Sequence, residues 1–257
     1  MIPLTFRFCY YRGQKDFLWR DLHTLCLQSC KMFAGAHRII VHYDVEGEGP
    51  NWDEARALPG IEWSQESFVT TINGLPVTDQ RIVCDLFRLK TLDTEGGFFC
   101  DLDFVFLKSF ESIRHDQAVI GIQCKAKSKL CCALMGAVPG SAFIKAYIDS
   151  YKDWTLMDQK KFWTYANIVP WNLAKSHPVT ILNRPAFYPW CWSNKTFLRG
   201  EKINLKASLA IHLWETLNPN LTVEDLKKTT LGPVIQEIMG LPTQTSVQVQ
   251  PGGLLQF

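Results

Sequence analysis

The spacing of apolar and polar positions changes several times along the chain, and each change predicts an element. Residues 2–10 form a nearly unbroken apolar run that stops at Arg12-Gly13, the pattern of a buried strand. Across residues 16–33, Leu18, Leu22, Leu25, Ser29 and Met32 share one stripe and predict an amphipathic helix. RIIVHY, residues 38–43, predicts a second buried strand ending at Asp44. Strand, helix, strand is the rhythm of a parallel sheet. Residues 46–59, with Gly, Pro and acids, read as a loop. Residues 60–63 read as a short strand, and Asn73-Gly74 with Pro76 as a turn.

The most informative stretch is 79–110, DQRIVCDLFRLKTLDTEGGFFCDLDFVFLKSF. Ile82, Leu86 and Leu89 fall at i, i+4 and i+7, and Val83 and Phe87 widen the face, predicting a helix packed on a core. Gly96-Gly97 ends it, since glycine takes a positive φ past a helix end without steric cost. Residues 98–107 read as one central strand covered on both faces and interrupted by Asp101 and Asp103. On such a strand the two acids point the same way and Leu102 the other. Adjacent carboxylates in apolar surroundings repel each other and lose solvation, and a cation between them removes both costs. The strand ends of open α/β sheets are also where ligands sit. The pair therefore reads as a metal site rather than an acidic surface turn.

The series Asp85-x-x-Arg88, Gly96-Gly97, Asp101-x-Asp103, Leu107-Lys108 resembles the DXD-motif glycosyltransferase sugar-binding family. That family includes yeast-type mannosyltransferases, bacterial polysaccharide enzymes and the transferase domains of large clostridial toxins. Cys84 stands where the family has serine, and Phe99 where it has tyrosine. The resemblance implies an α/β fold of the GT-A type, with a central, mostly parallel sheet flanked by helices. Residues 1–110 would bind nucleotide sugar and metal, residues 111–240 the acceptor, and residues 241–257 would form a tail. The implied reaction is metal-dependent, retaining transfer of a hexosyl or pentosyl group from a UDP- or GDP-sugar to a hydroxyl of a glycan, glycolipid or glycoprotein. Mn²⁺ or Mg²⁺ is the implied cofactor.

The same resemblance assigns roles. Asp85 and Arg88 contact the donor, Asp101 serves donor and metal, and Asp103 binds metal. The first strand holds the nucleotide base, where Tyr10 and Tyr11 would stack. His212 in AIHLW, residues 210–214, matches a late family H-x-W element and is the expected third metal ligand; imidazole and carboxylate both suit Mn²⁺. Asp158-Gln159 resembles an Asp-Gln pair near the reacting carbon of retaining transferases. Pro139-Gly140 with Phe143 resembles another family segment, but the usual Asn near its start is missing and Cys131-Cys132 stands there. Trp171, Trp190 and Trp192 offer rigid faces for a sugar acceptor.

Composition narrows the picture. A chain of 257 residues, 47% hydrophobic and 20% charged, suits one large α/β domain with an ordinary core, which excludes a disordered chain. A net charge of +2 without a basic stripe gives no support to a nucleic-acid partner. The nine cysteines show no CxxC pair or zinc spacing, and their odd number favours a reducing compartment. No signal peptide is visible, and the longest apolar run, 130–138, is too short to span a bilayer. The expectation is a cytoplasmic protein that touches a membrane only peripherally, where its acceptor is lipid-linked. Thr222-x-x-Asp225 predicts a helix start, and residues 233–239 predict a last helix. Two other classes fit the same residues. One is a metal-dependent nucleotide-sugar hydrolase; the other is a non-catalytic sugar- or nucleotide-binding module on a decayed scaffold, which the missing Asn favours.

Overall fold

The computed structural model describes residues 1–13, 18–123, 129–193 and 196–240. The tail 241–257 lies outside the described residues. Strands are β1 (Thr5–Tyr10), β2 (Arg38–Tyr43), β3 (Ile61–Gln65), β4 (Thr71–Ile72), β5 (Leu75–Pro76), β6 (Gly97–Cys100), β7 (Phe104–Phe106), β8 (Ala118–Ile122), β9 (Leu130–Ala137), β10 (Thr180–Leu182) and β11 (Ala210–His212). Helices are α1 (Asp21–Phe33), α2 (Pro50–Arg56), α3 (Gln80–Thr94), α4 (Ala142–Asp149), α5 (Val169–Leu173), α6 (Val223–Lys227) and α7 (Gly232–Ile238). One seven-stranded sheet runs β10-β8-β9-β6-β1-β2-β3. It is parallel except around β9, which pairs antiparallel with β6 and β8. The fold is α/β, a mostly parallel central sheet flanked by helices.

Alternation along the central strands builds two cores. Phe6, Phe8 and Tyr10 of β1, with Phe98 and Cys100 of β6, face α1 and the C-terminal helices. Phe99 faces the other way, into a core built with Ile82, Val83, Leu89 and Leu92 of α3 and Phe143 and Tyr147 of α4. Gly96-Gly97 joins α3 to β6 as expected. Gly96 has φ +67, and a Cβ there would lie 2.8 Å from the Ala137 carbonyl oxygen; at Gly97, φ +101, it would lie 2.5 Å from that of Thr5. The chain passes too close to its neighbours for any side chain.

Three expectations need correction. Residues 98–107 are two strands, not one. β6 pairs with β1 and β9, the chain breaks at Asp101–Asp103, and β7 pairs antiparallel with β11 outside the main sheet. The apolar run is continuous because both strands are buried, so the break leaves no hydropathy signal. α1 begins at Asp21 rather than residue 16, because His23 Nδ1 accepts the Arg20 N–H at 3.0 Å and the chain is extended at Arg20. The loop at 46–59 contains α2, which starts with Pro50 and buries Trp52 and Ala55. The turn at Asn73-Gly74 (φ +52 and +75) links β4 to β5, and Thr222 and Asp225 form the anticipated reciprocal cap.

Candidate metal and donor site

The break between β6 and β7 creates the site. Asp101 keeps one tie to the sheet, its N–H donating to the Ala133 carbonyl at 2.8 Å. Asp103 begins the second tie, its carbonyl accepting the Leu213 N–H at 2.8 Å. The two acids thus belong to different pairings. They converge because β11 carries His212 alongside Phe104 in register. The His212 ring stacks on Phe104 with centroids 4.5 Å apart and touches Trp214 at 4.1 Å.

One ligand atom each from Asp101, Asp103 and His212 lies within 4.8 Å of the others. His212 Nε2 is 2.9 Å from Asp103 Oδ1, and the Glu215 N–H donates to Asp103 Oδ2 at 2.8 Å. Burial opposes ionisation of Asp103, but His212 and the Glu215 N–H outweigh it and hold the carboxyl below its usual range. His212 Nδ1 is buried without a hydrogen-bond partner. Two carboxylates and an imidazole drawn together in this way fit a divalent cation of the Mn²⁺ type.

Behind Asp101 lies a buried ionic network on α3. Arg88, 2% exposed, bonds Asp101 Oδ1 through Nη2 and the Cys132 carbonyl through Nη1; that Nη1 also lies 3.5 Å from Asp85 Oδ1. Burial works against its charge, but Asp101 and Asp85 raise it further, so Arg88 stays protonated. Both of its Nη groups are therefore committed inside the protein. Asp85 accepts the Cys132 thiol at 3.4 Å on Oδ1, while Oδ2 is buried with no partner. Cys132, which occupies the region of the missing Asn, thus contacts Asp85. Cys9 Sγ lies 3.3 Å from Cys84 Sγ, the residue preceding Asp85.

Burial raises the Asp85 carboxyl to about 6, with Arg88 opposing and Asp101 reinforcing the rise. A carboxyl raised in the folded state binds its proton more tightly there than in the unfolded chain. Its contribution to stability therefore falls as pH rises between about 4 and about 6, reaching a cost of about 2–3 kcal/mol above that window. Asp85→Asn is expected to remove this pH dependence and to stabilise the protein near neutrality. Urea unfolding midpoints on either side of the window check it; parallel pH profiles for both proteins would contradict it.

The other expected site residues are placed as follows. Tyr10 is fully buried between Trp19 and Trp52, at 5.2 and 5.1 Å. Tyr11 is half-buried against Phe68. An open pocket of about 390 Å³ lies at Trp19, lined also by Leu18, Glu48, Gly49, Pro50 and Asn51. Asp158 spends its carboxylate on its own turn, accepting Thr155 N–H and Oγ–H at 2.8 Å and pairing with Lys161. Gln159 ties Thr78 to that turn and donates to the Pro76 carbonyl at 3.1 Å. The structure brings neither into contact with Asp101 or Asp103. Trp190 is buried against Phe197 at 5.0 Å, Trp171 is half-buried and Trp192 is 39% exposed. Sequence reasoning missed Glu215, Arg20 and His23, which meet beside Asp103.

Among the described residues, no helix is long and apolar enough to cross a membrane. No curated protein matches the chain. A solved structure titled PaToxG Glycosyltransferase aligns at 14% identity with a TM-score of 0.49, over 95% of this chain and 81% of that one. Over residues 61–120, which include Asp85, Arg88, Asp101 and Asp103, the chain matches the family described as glycosyltransferase sugar-binding region containing DXD motif.

Proposed function

We propose that the chain is a metal-dependent glycosyltransferase that moves a sugar from a nucleoside-diphosphate donor, UDP- or GDP-linked, to a hydroxyl of a glycan, glycolipid or glycoprotein. The observation that carries this reading is the convergence of Asp101, Asp103 and His212, the first two inside the matched family stretch and the third 109 residues beyond Asp103. The difficulty in glycosyl transfer is charge: the departing diphosphate becomes more negative as the sugar becomes cationic. Mn²⁺ or Mg²⁺ held by Asp101, Asp103 and His212 would neutralise that departing charge.

The chain's own residues do the positioning. Asp103 is kept ionised by the neighbouring His212 and the Glu215 N–H. Arg88 does not reach outward; it fixes the Asp101 and Asp85 carboxylates in relation to each other. Asp85 Oδ2 is an acceptor that a donor-sugar hydroxyl satisfies. Tyr11 takes the nucleotide base, and the exposed face of Trp192 takes acceptor sugar. Asp158 and Gln159 hold the turn beside α3 rather than the reacting carbon. Retention of configuration, on the strength of the family resemblance, and action in the cytoplasm, from the odd number of cysteines, complete the proposal.

The test is release of nucleoside diphosphate from UDP- and GDP-sugars with Mn²⁺, with and without glycan acceptors. Acceptor-stimulated release is the expected result. Release indifferent to acceptor would mark a hydrolase, and donor binding without release a binding module.

A further inference from the structure

The start of α1 is joined to the segment after β11 by contacts that no ligand role requires, and they meet at Glu215. Its backbone N–H donates to Asp103 Oδ2 at 2.8 Å. Its carboxylate receives Arg20 Nη1 at 2.6 Å and His23 Nε2 at 2.8 Å. Since His23 Nδ1 accepts the Arg20 N–H, Nε2 carries the proton and donates to Glu215. Arg20 also bonds the Leu221 carbonyl, and Asp21 accepts the Val223 N–H at 3.4 Å. These contacts span about two hundred residues of sequence.

The residue before Glu215 shows what the grip is for. Trp214 has φ +58 and ψ +46, a left-handed conformation that a bulky side chain adopts only when its surroundings impose it. That twist turns the Glu215 N–H back onto Asp103 directly after His212 has met the other carboxylate oxygen. Asn218 Nδ2 holds the same turn through the Leu213 and Trp214 carbonyls, at 3.2 and 3.0 Å. Released from α1, the turn would relax toward an ordinary φ, withdraw the N–H and loosen His212 two residues earlier.

We propose that Glu215 is a positioning residue for the metal site. Its side chain, gripped by Arg20 and His23, holds the left-handed turn that aims a backbone N–H at Asp103 and fixes that carboxylate, with His212, for a divalent cation. The inference rests on the reading of Asp101, Asp103 and His212 as a cation site. Groups that orient metal ligands from behind alter metal affinity about 10–100-fold when removed. An ion pair that merely stitched α1 to the C-terminal segment would change the melting temperature and leave metal affinity alone.

The experiment is a titration of the full chain with Mn²⁺ alone, following the electron paramagnetic resonance signal of the free ion, with melting temperatures measured alongside. Wild type binds Mn²⁺. Glu215→Ala is expected to weaken binding about 10–100-fold, and Glu215→Gln, which keeps an acceptor for Arg20, to weaken it less. A folded Glu215→Ala with wild-type affinity overturns the positioning role and leaves the cation site standing. Wild type that binds no Mn²⁺ overturns the site itself and the proposal with it. If Glu215→Ala does not fold, Arg20→Lys decides. Lysine keeps the charge but not the fork that reaches both Glu215 and Leu221, so weaker binding supports the role and unchanged binding refutes it.

Discussion

Asp103→Asn is expected to lower sugar transfer by about 10²–10³-fold while leaving the protein folded. Asparagine keeps the shape of the side chain and an oxygen for the Glu215 N–H, so the turn after β11 retains its anchor. What it removes is charge. The Asp103 carboxyl is held below its usual range and faces His212 at 2.9 Å, so a full negative charge stands at the centre of the cluster at working pH. Without it a cation held there would lose one of two carboxylate ligands, and a departing diphosphate would lose its counter-charge. Initial rates with Mn²⁺ and a saturating acceptor, together with a far-ultraviolet circular dichroism melt, check the prediction. A folded variant that transfers at the wild-type rate would remove Asp103 from the site.

Arg88→Ala has the largest expected effect on stability, a loss of about 3–5 kcal/mol. The guanidinium is 2% exposed and serves Asp101, Asp85 and the Cys132 carbonyl together. Truncation strands a fully buried carboxylate at Asp85 and frees Asp101 to turn into solvent. Transfer therefore falls as well, through misplaced carboxylates rather than a lost contact to the donor. Arg88→Lys is expected to rescue little, since a point charge cannot reach three acceptors set in different directions. Urea unfolding read by tryptophan fluorescence gives the stability change. A loss below about 1 kcal/mol, the size of a surface ion pair, would show that the network is not the buried support described here.

The acid pair, its helix and the glycine link were legible because they lie within about thirty residues and each rests on local chemistry: helical spacing, a left-handed glycine pair, two acids in an apolar run. The strand break was hidden because the change at Asp101 is one of pairing partner, and β11 lies a hundred residues away. Tyr10 was misread as a base-stacking candidate although alternation already assigned it. It shares a face with Phe6 and Phe8, and that face is core, while Cys9 and Tyr11 take the other. The family motif marks Arg88 as a donor contact, but its inward-facing role had no local signal, since the Cys132 carbonyl arrives from β9 and Asp101 from the end of β6. Glu215 had no local signal, because its partners Arg20 and His23 lie 195 and 192 positions back.

The most direct test of a metal-dependent donor site is the melting temperature of the protein with UDP, GDP or CDP, each with and without Mn²⁺. A ligand that binds the native state raises the melting temperature by mass action. The melting temperature is expected to rise with one nucleotide, only when Mn²⁺ is added, and the rise is expected to be lost in Asp103→Asn. No rise with any nucleotide, with or without Mn²⁺, would contradict it.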